Sequence, residues 1–454
     1  MTIKLRPDQI DFIAQVRASI SKYNSVLCQY PTGGGKTVMF SEITRLAVNK
    51  GKRVLILTHR KEIAKQAISI LEAINVHCGG VATWAIPKYG RSCQVAMVRT
   101  MAKRLKYFNS FDLIIADEAH HSPAAEWKKI IDHYPGAKLL GFTATPVRSD
   151  GKPLGKMFDD IIIGPSVGEL IDLECLSNYK IIRPEHTADL SGVKRSKGDY
   201  NQRDLASAMD KSVITGDAVE YYKKYSDGLP AIAFCVSIVH AVHVAEKFTA
   251  AGYRAVAVSG KTESSVRKQA IEDLGSGKLD VLTSCDVVSE GTDIPNVNTA
   301  ILLRPTLSLG LYLQQVGRAL RFVQGKTAVI IDHVGNIAKH GKPDDIFDWS
   351  LNGTPQRRSK DDKIPQIKTC PACYKVHKPA LICPRCGFEY EKKAREIAEA
   401  EGKLIEDAEH ERQKIAKKAE IWQCKTLEEL QELGKKRGYK PGWALHRWDN
   451  RKWK

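Results

Sequence analysis

The sequence has no long apolar segment. No uninterrupted apolar run among its 454 residues approaches the ~20 residues that a membrane-spanning helix needs. The first residues, MTIKLRPDQIDF, also lack an apolar core of signal-peptide length. We therefore expect a soluble, cytoplasmic protein without a membrane partner.

The sequence also lacks the cysteine pattern of a disulfide framework, which argues against a small secreted domain. Seven of its eleven cysteines are scattered, several of them inside apolar runs, as buried free thiols usually are: Cys28, Cys78, Cys93, Cys175, Cys235, Cys285 and Cys424. With 43% hydrophobic and 27% charged residues, the chain is long enough for two or three ordinary folded domains.

Acidic residues are in deficit. Lys and Arg number 70 against 52 Asp and Glu, and the formal net charge of +18 favours a polyanionic partner. From Gly434 onwards there are eight Lys or Arg and a single Asp, interleaved with Tyr439, Trp443, Trp448 and Trp453. This tail could clamp nucleic acid with its indoles stacked on bases, or Trp443 and Trp448 could pack a small helical unit.

Short β-rich runs alternate with segments of helical periodicity twice along the chain. Their near-continuous apolarity is typical of parallel sheets covered by helices on both faces. We predict two α/β lobes, joined by a less regular span at Val147–Gly164. The predicted strands are Val26–Gln29, Val54–Thr58, Leu113–Ala116 and Leu139–Thr143 in the first lobe, and Ala231–Cys235, Ala255–Ser259, Val281–Ser284, Ala300–Leu303 and Ala328–Ile331 in the second.

The pattern changes after Asp344. Pro, Ser, Arg and Lys dominate Gly353–Lys368, which predicts a linker. The charged stretch from Glu391 to about Glu420 predicts an exposed helix. Thr426-Leu427-Glu428-Glu429 fits a capping box that opens a last short helix, with Gly434 as its stop.

The stretch YPTGGGKT, residues 30–37, follows the first predicted strand. A glycine-rich turn between a strand and a helix presents backbone N–H groups to an anion, which predicts a site for a nucleoside triphosphate. Its first residue is a tyrosine where the strict pattern has glycine. Gly33 and Gly35 would let the backbone approach the phosphates, Lys36 would reach the β and γ oxygens, and the Thr37 hydroxyl would ligate Mg²⁺.

Two acids directly follow the predicted strand Leu113–Ala116. Asp117 and Glu118 begin the sequence DEAH. In an open parallel sheet, ligands bind at the carboxyl edge of the strands. We expect Asp117 to hold Mg²⁺ and Glu118 to orient and deprotonate the attacking water.

Four cysteines are clustered: Cys370 and Cys373 form one C-x-x-C pair and, after nine intervening residues, Cys383 and Cys386 form another. Four thiolates at this spacing predict a closed tetrahedral Zn²⁺ site with a structural role. An iron–sulfur cluster or two redox pairs are the alternatives. His377 lies between the pairs and is predicted to be a surface residue.

In their order along the chain, the motifs resemble those of superfamily 2 helicases, over about Met1–Gly341. Leu5–Gln9 is similar to the adenine-reading element of that family. Thr143–Pro146 is similar to the motif that couples ATP state to nucleic acid, and Ser289–Pro295 and Gln314–Arg321 to the fifth and sixth motifs. The resemblance implies two tandem RecA-like lobes and an ATP-dependent nucleic-acid motor.

The resemblance also implies roles for single residues. Arg318 and Arg321 would come from the second lobe to the γ-phosphate and complete a catalytic set with Lys36, Asp117 and Glu118. Guanidinium donors supplied across a cleft make hydrolysis depend on lobe closure. The further residues implied to bind the nucleotide are Arg6, Gln9, Gly291, Asp293 and Gln314.

Two short elements of the first half, Leu57–Arg60 and Val98–Thr100, resemble those that touch the nucleic-acid backbone. Each fits a plain surface loop as well.

A DEAH motor followed by a four-cysteine module resembles the RadD type of bacterial helicase-like DNA repair proteins and related phage enzymes. The similarity includes Ile301–Thr306 and the sixth motif, whereas the C-terminal region is shorter and ends differently. The resemblance implies a single-stranded or branched DNA partner and a role in DNA repair, recombination or replication in a bacterial or phage-infected cell. It leaves a single-strand-binding or repair protein open as a further partner.

We divide the chain into five parts: an ATP-binding RecA-like lobe at 1–165, a second RecA-like lobe at 166–345, a linker at 346–368, a zinc module at 369–390 and a charged helical and basic aromatic tail at 391–454.

Three other functions stay open. The motor could be an RNA helicase, the motor subunit of a restriction-type complex, or a non-hydrolysing nucleic-acid-binding protein. The chain itself has no recognisable nuclease motif.

Overall fold

A computed structural model describes most of the first 353 residues and parts of the remainder. The described residues are 5–85, 88–121, 125–148, 152–184, 193–196, 199–201, 204–205, 213–285, 297–353, 356–357, 368–369, 376–377, 404–406, 424, 426–437, 439, 443–444 and 448. Within them, two seven-stranded sheets flanked by helices form two α/β lobes, as the sequence predicts.

The first sheet has the order β3-β4-β2-β5-β6-β1-β7, and all of its strand pairs are parallel. Its strands are β1 (Ser25–Gln29), β2 (Val54–Thr58), β3 (Cys78–Val81), β4 (Cys93–Met97), β5 (Leu113–Asp117), β6 (Lys138–Thr143) and β7 (Asp160–Ile163). Its helices are α1 (Pro7–Lys22), α2 (Lys36–Val48), α3 (Lys61–Ala73), α4 (Val98–Arg104) and α5 (Ala125–His133), with 3₁₀ turns at Leu105–Tyr107 and Ala119–His121.

The second sheet has the order β12-β13-β11-β14-β15-β8-β20, and only the pair of β20 with β8 is antiparallel. Its strands are β8 (Asn178–Pro184), β11 (Ala231–Phe234), β12 (Ala255–Val258), β13 (Val281–Ser284), β14 (Thr299–Leu302), β15 (Thr327–Asp332) and β20 (Leu404–Glu406). Its helices are α6 (Val167–Asp172), α7 (Val213–Ser226), α8 (Ile238–Ala250), α9 (Ser264–Gly275), α10 (Leu309–Ala319) and α11 (Asn336–His340).

Three short antiparallel pairs lie outside these sheets. They are β9 (Arg195–Ser196) with β10 (Asp199–Tyr200), β16 (Phe347–Asp348) with β17 (Gln356–Arg357), and β18 (Lys368–Thr369) with β19 (Val376–His377). No helix in the described ranges is long and apolar enough to cross a membrane.

All nine predicted strands are present, with ends that differ by at most one residue. Central strands such as β2, whose five residues are all buried, lie between helix layers and therefore carry the continuous apolar run that the prediction used.

The prediction missed five strands that lie at or next to a sheet edge: β3, β4, β7, β8 and β20. Two glycines interrupt β3, and a Cβ at Gly79 would lie 2.2 Å from the side chain of Gln94. Gln94 in turn is a fully buried amide inside β4. Gly79 of β3 and the amide of Gln94 break the apolar pattern because the side chain of Gln94 occupies the space beside Gly79. The sequence of either strand alone does not show this contact. The span Val147–Gly164, which the sequence predicts as an irregular connection, contains β7, and this strand pairs with β1.

Two C-terminal predictions need correction. At Leu404–Glu406, within the segment predicted as an exposed helix, the chain adds an edge strand to β8. The last helix, α12 (Leu427–Lys436), begins with the predicted capping box at Thr426 and Glu429 but continues past Gly434. A Cβ at Gly434 would lie 3.0 Å from the Trp443 ring, so this glycine makes room for an indole and does not end the helix.

The helix α12 belongs to a small packed unit. Trp443 is buried against Leu430 and Ala444, and Tyr439 and Trp448 pack at the margin. The Tyr439 hydroxyl donates to Asp172 at 3.1 Å, which ties the unit to α6. Of the two alternatives for the tail, the structure therefore favours packing for Trp443. Trp453 lies outside the described residues.

We predict that Gly141→Ala destabilises the first lobe by about 1–3 kcal/mol, the usual cost of overpacking a core. A Cβ on this β6 residue would lie 2.5 Å from Phe158 and 2.7 Å from Ala119, and both neighbours are buried. The urea midpoint, followed by tryptophan fluorescence, measures the change. Gly136→Ala is the matched control, because a Cβ there meets nothing within 4 Å. Equal midpoints for the two variants would contradict the prediction.

Candidate nucleotide site and inter-lobe cleft

The glycine-rich loop lies between β1 and α2, as its sequence predicts. Gly33 and Gly35 have φ values of 79° and 94°, a left-handed conformation that favours glycine. Helix α2 begins at Lys36 directly after Gly35, so the backbone N–H groups of its first turn face the loop. The Lys36 ammonium donates to the carbonyl oxygens of Tyr30, at 3.3 Å, and Pro31, at 3.5 Å.

Charges from both lobes act on Lys36. Burial lowers its pKa, the carboxylates of Glu118 and Asp117 oppose that shift, and the guanidinium groups of Arg318 and Arg321 add to it. The five predicted catalytic residues are therefore close enough to interact electrostatically. Burial also lowers the pKa of Arg321, to about 10. A bound polyanion would stabilise these desolvated cations.

The N-terminal element braces the loop from the side. Arg6 donates to the carbonyl oxygen of Gly34 at 2.8 Å, and the Gln9 amide donates to the same oxygen at 3.1 Å. A Cβ at Gly35 would lie 2.5 Å from Gln9 Nε2, so only glycine allows this approach. The two side chains predicted to contact the nucleotide thus also fix the loop.

Tyr30, which replaces the first glycine of the strict pattern, has a structural role that the sequence did not reveal. Its ring is fully buried and meets Phe12 edge-on at 4.9 Å. Its hydroxyl donates to Asp8, whose carboxylate also pairs with Arg6. A Cβ at Gly34 would lie 2.5 Å from this ring. Tyr30 therefore connects the loop to the element that braces it.

The two acids lie at the carboxyl end of β5. Asp117 is the last residue of the strand and Glu118 follows it, and both are buried. Glu118 has a φ of 49°, which is uncommon for a residue with a side chain and is a form of strain often found at functional sites. Glu118 Oε2 lies 3.5 Å from His120 Nδ1 and accepts no hydrogen bond from the described residues.

His120 links these acids to the TATP motif. Its Nδ1 lies 2.9 Å from Thr143 Oγ1. The same oxygen accepts a hydrogen bond from the backbone N–H of Thr145 at 3.2 Å. A Cβ at Gly310, in the first turn of α10 in the second lobe, would lie 2.9 Å from Thr145 Oγ1. The motif therefore touches the acid end of β5 on one side and the second lobe on the other.

The second lobe also contacts the glycine-rich loop itself. A Cβ at Gly317 of α10 would lie 2.8 Å from the side chain of Thr32. A Cβ at Gly33 would lie 3.0 Å from Leu176 and 3.8 Å from the Arg321 side chain. Leu176 and Arg321 are joined by a β-bridge. Sequence motifs do not identify these contacts: Leu176 belongs to no motif, and Thr32 lies in the glycine-rich stretch but was given no role there.

The donor set at the loop suits Mg²⁺. Thr37 supplies a hydroxyl in the first turn of α2, and Asp117 supplies a carboxylate that acts electrostatically on the neighbouring Lys36. Mg²⁺ prefers oxygen ligands and usually takes one or two protein groups with waters and substrate phosphates. It therefore needs no group of three or more His, Cys, Asp or Glu, and the described residues contain none placed to hold a metal.

A large cleft of about 1340 Å³ lies between the two lobes. It brings together the two predicted backbone-contacting elements of the first lobe, through His59 and Arg60 and through Val98–Thr100. Its charged lining residues are seven bases and three acids: Arg60, Lys61, Lys65, Arg99, Lys261, Arg267 and Lys268, with Glu62, Glu126 and Glu272. Arg267 pairs with Glu62 at 2.8 Å and joins the lobes across the cleft.

Several predicted site residues lie outside the described ranges. They are Gly291 and Asp293 of the fifth motif and the four clustered cysteines, Cys370, Cys373, Cys383 and Cys386. Gln314 is described and lies buried on α10.

Family comparisons agree with this geometry. Residues 2–148 match the type III restriction enzyme, res subunit family, and residues 216–323 match the helicase conserved C-terminal domain. Residues 354–398, which include the four clustered cysteines, match the ribosomal L32p protein family.

Individual proteins extend the similarity over most of the chain. The 51.5 kDa protein of Lactococcus phage (isolate 7-9) is 37% identical, over 84% of this chain and 82% of that protein. The putative ATP-dependent helicase IRC3 of Saccharomyces cerevisiae is 34% identical over 67% of this chain, which spans only 47% of the yeast protein. The type ISP restriction-modification enzyme LlaBIII, solved bound to DNA, shares the fold with a TM-score of 0.55 and 18% identity, over 74% of this chain and 28% of that one.

Two RecA-like lobes that meet at a glycine-rich loop define a helicase-type nucleotide-binding protein. With the family matches and the relatives, the chain belongs to the superfamily 2 helicase-like proteins. ATP and Mg²⁺ are the typical ligands of that family.

We predict that Gly317→Ala lowers ATP turnover about tenfold, because a Cβ against Thr32 would oppose the approach of the lobes by roughly 1.4 kcal/mol, within the usual cost of overpacking. The melting temperature should not fall, since alanine favours a helix by about 1 kcal/mol over glycine. Steady-state hydrolysis and thermal unfolding test both points. The control is Gly168→Ala in α6, where a Cβ meets only ordinary contacts at 3.7 Å. Full turnover in Gly317→Ala would refute the predicted steric effect.

Proposed function

We propose that the protein is an ATP-hydrolysing motor that moves on or remodels DNA. The observation that carries the proposal is the convergence of Arg318 and Arg321 from the second lobe with Asp117 and Glu118 from the first on the buried Lys36. This combination of cations and carboxylates at a phosphate-binding loop suits phosphoryl transfer to water.

Each residue has a defined part in this reaction. The N–H groups of the Gly33–Gly35 turn and the Lys36 ammonium hold the β- and γ-phosphates in place of the carbonyls that Lys36 now contacts. Glu118 orients the attacking water and takes its proton. Arg318 and Arg321 stabilise the charge that spreads over the γ-phosphoryl oxygens.

When bound, Mg²⁺ neutralises phosphate charge, and Thr37 and Asp117 are the residues that would hold it. Arg6 and Gln9 would bind the base beside the loop, with Gly291, Asp293 and Gln314 completing the nucleotide contacts.

The inter-lobe cleft is the proposed track for nucleic acid. Its basic residues outnumber its acidic residues by seven to three, which suits a phosphate backbone. Both lobes line it, so a change in the distance between the lobes would move a bound strand. Arg60 and Arg99 are the proposed backbone contacts of the first lobe. We propose DNA as the track in preference to RNA on the match of residues 2–148 to the type III restriction enzyme, res subunit family. A role in DNA repair, recombination or replication is the proposed biological setting, as the resemblance of the motifs implies.

We predict that single-stranded, duplex or forked DNA stimulates ATP hydrolysis by the full chain, and that RNA does so less. Steady-state turnover with each nucleic acid, and without any, measures the effect. Glu118→Gln keeps the shape of the side chain but removes the base, and Lys36→Ala removes the phosphate contact, so both variants should lose at least 100-fold in turnover, at the low end of general-base and electrostatic contributions.

Each other outcome points to a specific alternative. Preferential stimulation by RNA would indicate an RNA helicase. Turnover that appears only with a co-purifying nuclease subunit would indicate a restriction-type motor. Absence of turnover under all of these conditions would favour a non-hydrolysing nucleic-acid-binding protein and would contradict the proposal.

We further propose that Cys370, Cys373, Cys383 and Cys386 bind one structural Zn²⁺. The strands β18 and β19 pair antiparallel and precede and follow the first cysteine pair in the sequence, which supports the proposed site.

Protein purified without added zinc should therefore contain about one Zn²⁺ per chain. Elemental analysis tests this prediction. Cys383→Ser should lower the zinc content, whereas Cys424→Ser, which changes a cysteine outside the cluster, should not. Iron, or no metal, in the unaltered protein would refute the zinc site.

A further inference from the structure

A stack of three histidine rings connects the acid end of β5 to the inter-lobe cleft. The rings of His120 and His121 lie 4.1 Å apart, and the rings of His121 and His59 meet edge-on at 4.8 Å. His120 and His121 belong to the 3₁₀ turn after Glu118, whereas His59 follows β2. The stack therefore crosses from one strand end to another at the carboxyl edge of the sheet.

The two ends of the stack have different surroundings. At the inner end, His120 lies 2.9 Å from Thr143 Oγ1 and 3.5 Å from Glu118 Oε2. At the outer end, His59 and His121 both line the cleft. Arg60 Nε donates to His59 Nε2 at 3.3 Å, so a cleft-lining guanidinium is joined to the outer ring.

We propose that His121 is a positioning residue that couples the cleft to Glu118, through contact with His59 on one side and His120 on the other. A strand whose phosphate binds Arg60 would displace the guanidinium that donates to His59. The stacked rings would carry that displacement to His120, whose contacts set the carboxylate of Glu118 in place. The inference rests on the proposed function, because it needs a nucleic acid in the cleft and hydrolysis at Glu118.

Packed side chains with two discrete arrangements can carry such coupling, and rigid rings in contact transmit displacement better than flexible chains. A strand in the cleft would thereby speed hydrolysis without touching the nucleotide. The coupling should appear in the kcat for ATP at saturating DNA and not in the KM for ATP, because no histidine of the stack belongs to the glycine-rich loop.

The test uses the full-length protein with oligo(dT) as the probe. His121→Ala should lower the ratio of DNA-stimulated to basal turnover at least tenfold, while the oligo(dT) concentration for half-maximal effect changes less than threefold. His121→Phe keeps an aromatic ring between its neighbours and should retain the ratio within threefold. His77→Ala, at an exposed histidine before β3, should behave like the unaltered protein.

Three results would overturn the coupling: an unchanged ratio in His121→Ala, an equal loss in His121→Phe, or a loss of oligo(dT) affinity with the ratio intact at saturation. Thermal unfolding of each variant separates a loss of coupling from a loss of fold, and His121→Phe remains decisive if His121→Ala unfolds. A different failure belongs to the proposed function: the unaltered protein would then show no stimulation by any nucleic acid, and the coupling would fall with it.

Discussion

Close contact between the second lobe and the glycine-rich loop is the interaction on which the rest of this arrangement depends. Gly317 lies against Thr32, and Leu176 and Arg321 lie over Gly33, at distances that leave no room for an additional Cβ at Gly317. Both main sheets are largely parallel, so their strands end in loops that can meet at one interface. Because the glycines at this interface have no side chain, two lobes from distant parts of the chain come close enough to contribute charges to one site.

The electrostatics of that site explain why it favours a polyanion. Lys36, Arg318 and Arg321 are brought together with partial loss of solvent, and the carboxylates of Asp117 and Glu118 offset only part of the effect on Lys36. Bringing cations together is unfavourable until an anion binds among them. A triphosphate would therefore draw the lobes together, and its hydrolysis would weaken that attraction. The same lobes form the basic cleft, so one movement changes both sites.

The C-terminal region shows how packing can decide the use of a residue. A tail rich in lysine, arginine and tryptophan fits nucleic-acid binding by composition, yet Trp443 is buried beside Leu430 and lies close to Gly434. Tyr439 connects this unit to Asp172 of α6, the helix that follows the first lobe. The positive charge of the tail is compatible with a polyanionic partner. The Trp443 indole, however, is buried in the small core with Leu430 and Ala444.

The sequence alone determined the central strands, the strand-turn-helix around Lys36, the acids that follow β5 and the class of protein. The strands, the loop and the acids depend on patterns within about ten residues, where periodicity, glycine and charge have direct physical meaning. The class of protein depends on the order of the motifs along the chain, which resembles that of a known family. Only the tertiary structure decided the place of β3, β4, β7, β8 and β20, the link from Tyr30 to Asp8, and the edge-on contact between the rings of His121 and His59. Those features depend on which side chains meet across the fold, and no local pattern records such a contact.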